Sequence, residues 1–145
     1  MRRAEMMEAL CHCHAVRIEL DGPPPWILDC NCSVCRRYGA LWAYHNSVPF
    51  RVVGDPNATF VYRWAGKELA FHHCRTCGCT THISVPEAPP ARQLWCMNAR
   101  LILGLDPATP LRQVDNAHTG VFWTRSSEPF RPGGQPKMPD PEKWL

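Results

Sequence analysis

The sequence has no apolar run approaching the ~20 residues that a membrane-spanning helix requires, so no such span is expected. It has no block of five or six basic residues, and its formal charge of +3 is small for 145 residues. Thiolates bound to metal would each shed a proton and draw that charge towards zero or below. Neither nucleic acid nor membrane is therefore an expected partner. The opening MRRAEMMEAL carries two arginines but no continuous apolar stretch behind them. No secretory signal is expected, and the chain is expected to be cytoplasmic, in a reducing compartment. Internal repeats and a sustained helical period are also lacking.

What is abundant is cysteine: nine, an odd number. A disulfide framework fits poorly, because it leaves one thiol over, needs an export route, and usually spreads its cysteines between distant segments. Here they cluster as Cys11/Cys13, Cys30/Cys32/Cys35 and Cys74/Cys77/Cys79, with Cys96 alone. Spacings of two and three residues suit metal coordination.

Between the clusters the pattern is β. CHCHAVRIEL alternates, with Val16, Ile18 and Leu20 on one side and Arg17 and Glu19 on the other, which predicts a half-buried strand. DGPPP ends it. WILDCNC, PFRVVGD and TFVYRW predict further strands, and KELAFHHCRTCGCTTHISV a strand, a cysteine knuckle turned at Gly78, and a returning strand. LWCMNARLIL predicts another buried strand. Residues 1–10 are expected to be a helical turn or frayed, and 36–46 are ambiguous. The expected fold class is mainly β, with a domain over 1–125. Residues 126–145, rich in proline and glycine, are expected to be a surface tail with Trp144 and Leu145 as an apolar anchor.

Two residues apart on a strand, Cys11 and Cys13 would share a face and could grip one ion. The Cys74/Cys77 knuckle offers two more sulfurs, and together these four would close a structural site with no open position. That leaves Cys30, Cys32 and Cys35. Three protein ligands with an exchangeable fourth position are the pattern of catalytic zinc, where a water or an incoming thiol can sit. The alternative is a single zinc ribbon of Cys32/Cys35 with Cys74/Cys77, which strands Cys11, Cys13 and Cys30.

CHCHAVRIEL, CNCSVCRRYGA and FHHCRTCGC, in this order and at these separations, resemble the glutathione-dependent formaldehyde-activating enzyme family, which also contains centromere protein V. The resemblance spans roughly residues 9–125. It implies a β-tent of antiparallel sheets pinned by zinc, with two ions per chain. One is structural, on Cys11, Cys13, Cys74 and Cys77; the other is labile and catalytic, on Cys30, Cys32 and Cys35. It further implies addition of glutathione to formaldehyde, a carbon–sulfur lyase reaction when written in reverse. The chain departs from the family pattern at His14, where glycine is usual, at His72 and His73 before the knuckle, and at the extra thiol Cys79.

Individual residues keep two readings each. His12, His14, His72 and His73 could replace a cysteine as ligand, or donate N–H groups to sulfur. Arg36, directly after Cys35, could pair with a carboxylate of bound glutathione or stay solvated, and Arg37 and Arg75 are expected to be solvated or to offset thiolate charge. Tyr38, Trp42, Tyr44 and His45 could line a pocket beside the triplet or pack in the sheet; Tyr44 and His45 are candidate proton donors. Cys79 is expected to point into the sheet and Cys96 to be a small core residue. The expected activity is zinc-dependent addition of a thiol to a small aldehyde. A non-catalytic, zinc-stabilised interaction module and a zinc or thiol buffer are the alternatives.

Overall fold

The computed structural model describes residues 5–64, 68–114 and 122–124. Among them the fold is mainly β, as the alternation predicts. The strands are β1 (Met7–Leu10), β2 (Arg17–Leu20), β3 (Ile27–Cys30), β4 (Trp42–Tyr44), β5 (Phe50–Val53) and β6 (Thr59–Trp64). They continue with β7 (Leu69–Cys74), β8 (Thr80–Ser84), β9 (Leu94–Asn98), β10 (Leu111–Val114) and β11 (Phe122–Thr124). One short helix, α1, covers Cys35–Tyr38.

The strands form two sheets, a small one in the order β1-β2-β5 and a large one in the order β11-β10-β3-β4-β9-β8-β7-β6. Pairing is antiparallel except between β10 and β3, which run parallel. Alternation assigns the faces. Ile18, Leu20 and Phe50 of the small sheet pack on Ile27, Ala43 and Met97 of the large one, and this inter-sheet core also takes in Ala9, Val48, Ala99 and Ile102. Outward, Arg17, Glu19, Arg51 and Asp21 form a row of exposed ion pairs. The far face of the large sheet carries Leu28, Cys30, Trp42, Phe71, Ile83, Cys96 and Val114, with Val34, Cys35 and Ala40 packed over it.

Several local expectations are corrected. Residues 7–10 are a strand, neither helical nor frayed, because they pair along their length with β2. The strand in CHCHAVRIEL begins only at Arg17, and Cys11–Val16 is the loop that joins β1 to β2. LWCMNARLIL stops being a strand at Asn98, whose side-chain oxygen accepts from the N–H of Arg100 (3.1 Å) and starts a 3₁₀ turn over Ala99–Leu101. Residues 36–46 resolve into α1 and β4. The tail at 126–145, with Trp144 and Leu145, and its boundary at 125 lie outside the described residues. No helix among the described residues is long and apolar enough to cross a membrane.

Two histidines, His82 buried and His72 half-buried, sit side by side on the large sheet. His72 and His82, paired across β7 and β8, stack with centroids 4.0 Å apart. His72 is held between the hydroxyls of Thr59 (2.9 Å) and Ser84 (2.7 Å). Burial holds His72 down to about 4 and His82 to about 3, so both are neutral at pH 7.

Candidate functional site

The sulfurs of Cys11, Cys13, Cys74 and Cys77 gather within 4.8 Å of one another, a grouping that could hold a metal ion. Cys13 Sγ lies 3.7 Å from Cys11 Sγ and 3.6 Å from Cys74 Sγ. A tetrahedral zinc with Zn–S bonds of about 2.3 Å has sulfur–sulfur edges of about 3.8 Å, so the spacing fits that ion. Two turns deliver the ligands: the β1–β2 loop brings Cys11 and Cys13, and the β7–β8 turn brings Cys74 and Cys77. Backbone N–H groups point at the sulfurs, from Val16 to Cys11 (3.3 Å), and from Thr76 and Cys77 to Cys74 (3.4 and 3.5 Å). Burial pushes the Cys77 thiol up, but the amides of Cys79 and Cys13 and the thiols of Cys79 and Cys74 bring it down to about 5.

Cys11 and Cys13 therefore meet through a loop, and not through the shared strand face expected of them. His14 gives the loop its shape: it is the one non-glycine residue with positive φ among the described residues, at 67°, just where the family pattern has glycine. Left-handed backbone costs an ordinary L-residue roughly 1–2 kcal/mol, and glycine gives part of that back in unfolded-chain entropy. His14→Gly is expected to raise stability by about 0.5–1 kcal/mol, a Tm increase of about 2–4 °C by thermal denaturation.

The second grouping is Cys30, Cys32 and Cys35, again within 4.8 Å. Cys30 ends β3, and Cys35 starts α1. The Cys35 N–H reaches Cys32 Sγ at 3.4 Å. The three thiols share their protons unequally. Cys30 and Cys35 donate to Cys32, which falls to about 3 with help from the amides of Cys35 and Val34. Those two thiols are raised by the same contacts and by burial. One thiolate and two thiols thus sit together in a largely apolar wall, and a bound cation would replace their protons. No fourth ligand joins this set among the described residues, and the separation of the two groups rules out the ribbon of Cys32/Cys35 with Cys74/Cys77.

The remaining candidates divide by face. Tyr44 shares the triplet's face, and burial together with the thiols of Cys96, Cys30, Cys35 and Cys32 drives its phenol far up, so it keeps its proton. His45 does not share it: its ring packs on Phe50 at 5.1 Å on the inter-sheet side. Trp42 is core, 1% exposed, yet its indole N–H has no hydrogen-bond partner among the described residues, which leaves a buried donor on the triplet's face. Tyr38 packs on Phe71 and His73 (5.6 and 4.7 Å).

His72 and His73 stand outside both sulfur groups, His73 Nδ1 lying 3.3 Å from the Thr80 hydroxyl. Arg75 is committed to the Asn57 carbonyl (2.9 Å) and Arg37 to that of Ser33 (2.7 Å). Arg36 is exposed beside Cys35. Cys79 packs against the first sulfur group, next to Cys77, rather than into the sheet. Cys96 is buried core, as expected.

Residues 6–99 match the glutathione-dependent formaldehyde-activating enzyme family, and the chain belongs to it. It is also similar to a protein from Rhodobacter sphaeroides solved by crystallography, with 30% identity, a TM-score of 0.53, and coverage of 70% of this chain and 92% of that one. No curated protein matches the sequence.

Proposed function

We propose that the protein is a zinc-dependent enzyme that adds glutathione, or a similar thiol, to formaldehyde or another small aldehyde. The observation that supports this most is the contrast between two sulfur groups in one chain, one with four sulfurs and one with three. Cys11, Cys13, Cys74 and Cys77 would hold a structural zinc, and Cys30, Cys32 and Cys35 a labile one. Zinc at the three-sulfur group would supply positive charge that lowers the pKa of a thiol brought to it.

The reaction forms one carbon–sulfur bond, opens the carbonyl π bond, and moves the thiol proton to oxygen. The chain's own residues account for the rest. The Cys35 amide fixes the Cys32 sulfur, while Leu28, Phe71 and Val114 give the triplet an apolar wall. Tyr44 holds a proton on that face, where negative charge would build on the aldehyde oxygen. The buried Trp42 N–H is a further donor there. Arg36, one residue beyond Cys35, would pair with a glutathione carboxylate.

The interaction-module reading draws support from one feature, Phe60 and Val61, which are 44% and 46% exposed on the edge strand β6. Exchange spectroscopy by NMR on glutathione–formaldehyde mixtures decides between the readings. Catalytic amounts of zinc-loaded protein are expected to speed exchange between free and S-hydroxymethyl glutathione well above the spontaneous rate. Exchange at the spontaneous rate would leave the interaction module or the zinc buffer.

A further inference from the structure

We propose that Arg112, clamped over Trp26, is a carboxylate-binding subsite that selects acidic thiols, glutathione's second carboxylate being its natural occupant. The inference rests on the reading above for the identity of the thiol, while the subsite itself rests on register and stacking. β10 runs parallel to β3 with Arg112 opposite Leu28 and Val114 opposite Cys30. Paired residues of a parallel ladder point to the same face, so Arg112 shares its face with Leu28, Cys30 and Val114, the wall of the three-sulfur group. The step from Leu28 to Cys30 is about 7 Å along the strand, within the roughly 10 Å span of an extended tripeptide. A thiol held at the triplet can therefore lay an acid group beside Arg112.

The arginine is presented for binding. Its guanidinium carbon sits 4.4 Å from the Trp26 ring centroid, and stacking in this way fixes the plane while leaving the N–H edge for a bidentate acceptor. Trp26 is itself braced by Tyr44, 5.7 Å away, and Tyr44 by Trp95 at 5.8 Å, so the platform runs across the sheet. Arg112 is exposed and has no carboxylate partner among the described residues; their ion pairs engage Arg17, Arg51 and Arg63 instead. It also lies beyond the residues matched to the family, 6–99.

The test compares thiols with and without a carboxylate in wild type, Arg112→Ala and Arg112→Lys. Arg112→Ala is expected to raise KM for glutathione about tenfold with kcat unchanged, and to leave both constants for 2-mercaptoethanol as they were. Arg112→Lys is expected to fall between, since it keeps the charge but loses the stacked fork. Equal loss for both thiols, or none for either, overturns the proposal.

Binding of S-methylglutathione, which has both carboxylates and no free thiol, is measured by calorimetry alongside. A dissociation constant about tenfold weaker in Arg112→Ala supports the subsite even if the wild-type protein turns over no thiol, a result that would sink the enzymatic reading alone. Equal affinity of the two proteins, or no binding to wild type, removes the subsite.

Discussion

Cys74→Ser is expected to abolish the cooperative thermal transition. Cys74 is fully buried where the two sheets are joined, and its sulfur is contacted by Cys13 and by two backbone amides. Its apolar cluster among the described residues has Cys11 and Val16 as the other buried members, with Val52, Ala58, Cys77 and Cys79 partly buried. That cluster is too small to hold the β1–β2 loop against the β7–β8 turn by apolar contact. Structural zinc in small peptides contributes an apparent 10–16 kcal/mol, roughly as much as the whole 5–15 kcal/mol stability of an ordinary domain. Losing one of four thiolates, with a hydroxyl buried in its place, is therefore expected to remove most of the net stability. Circular dichroism melts with zinc analysis check this, and Cys79→Ser is the control expected to change little. A Cys74→Ser protein that melts within a few degrees of wild type with its zinc content intact would show that the four-sulfur group is no metal staple.

Cys32→Ser is expected to do the converse, leaving the fold and removing the activity. The loop between β3 and α1 follows a strand already paired on both sides, and Cys32 itself is only partly buried. A melting temperature within a few degrees of wild type is expected. Zinc should fall from two ions per chain to one, and the rate of thiol–aldehyde exchange should fall about 10²–10³-fold, the scale set by several kcal/mol of lost charge stabilisation. Exchange spectroscopy on the variant, zinc-loaded and checked for folding, measures it. Unchanged turnover falsifies the role given to the triplet.

Much of this was legible in the residues. TFVYRW and Val16-Arg17-Ile18-Glu19-Leu20 declare strands by alternation, and the C-x-C, C-x-C-x-x-C and C-x-x-C spacings declare both sulfur groups. The misses have physical causes. MEAL at 7–10 is made of strong helix formers, and its strand exists only through its pairing with β2. The period-two pattern reads back to Cys11, although its apolar phase shifts from Cys11 and Cys13 to Val16, Ile18 and Leu20, and the left-handed turn at His14 has no glycine or asparagine to announce it. The β10 strand, four residues long, leaves little periodicity to detect, and its parallel partner is far away in the sequence. For the same reason nothing local pointed to Arg112, which acquires its meaning from a register.

That parallel pair also sets an order of assembly. Gln113 and Asp29, which face each other across it, are 84 residues apart, whereas the most distant sulfurs of the four-membered group are held by segments complete once Cys77 has been made. A chain growing from its N-terminus can thus gather its four-sulfur group while β3, carrying Cys30, still has one bare edge. The three-thiol loop gains its second flanking strand only as residues 111–114 arrive. The order of synthesis thus lets the four-sulfur group take up an ion before the three-sulfur pocket is finished.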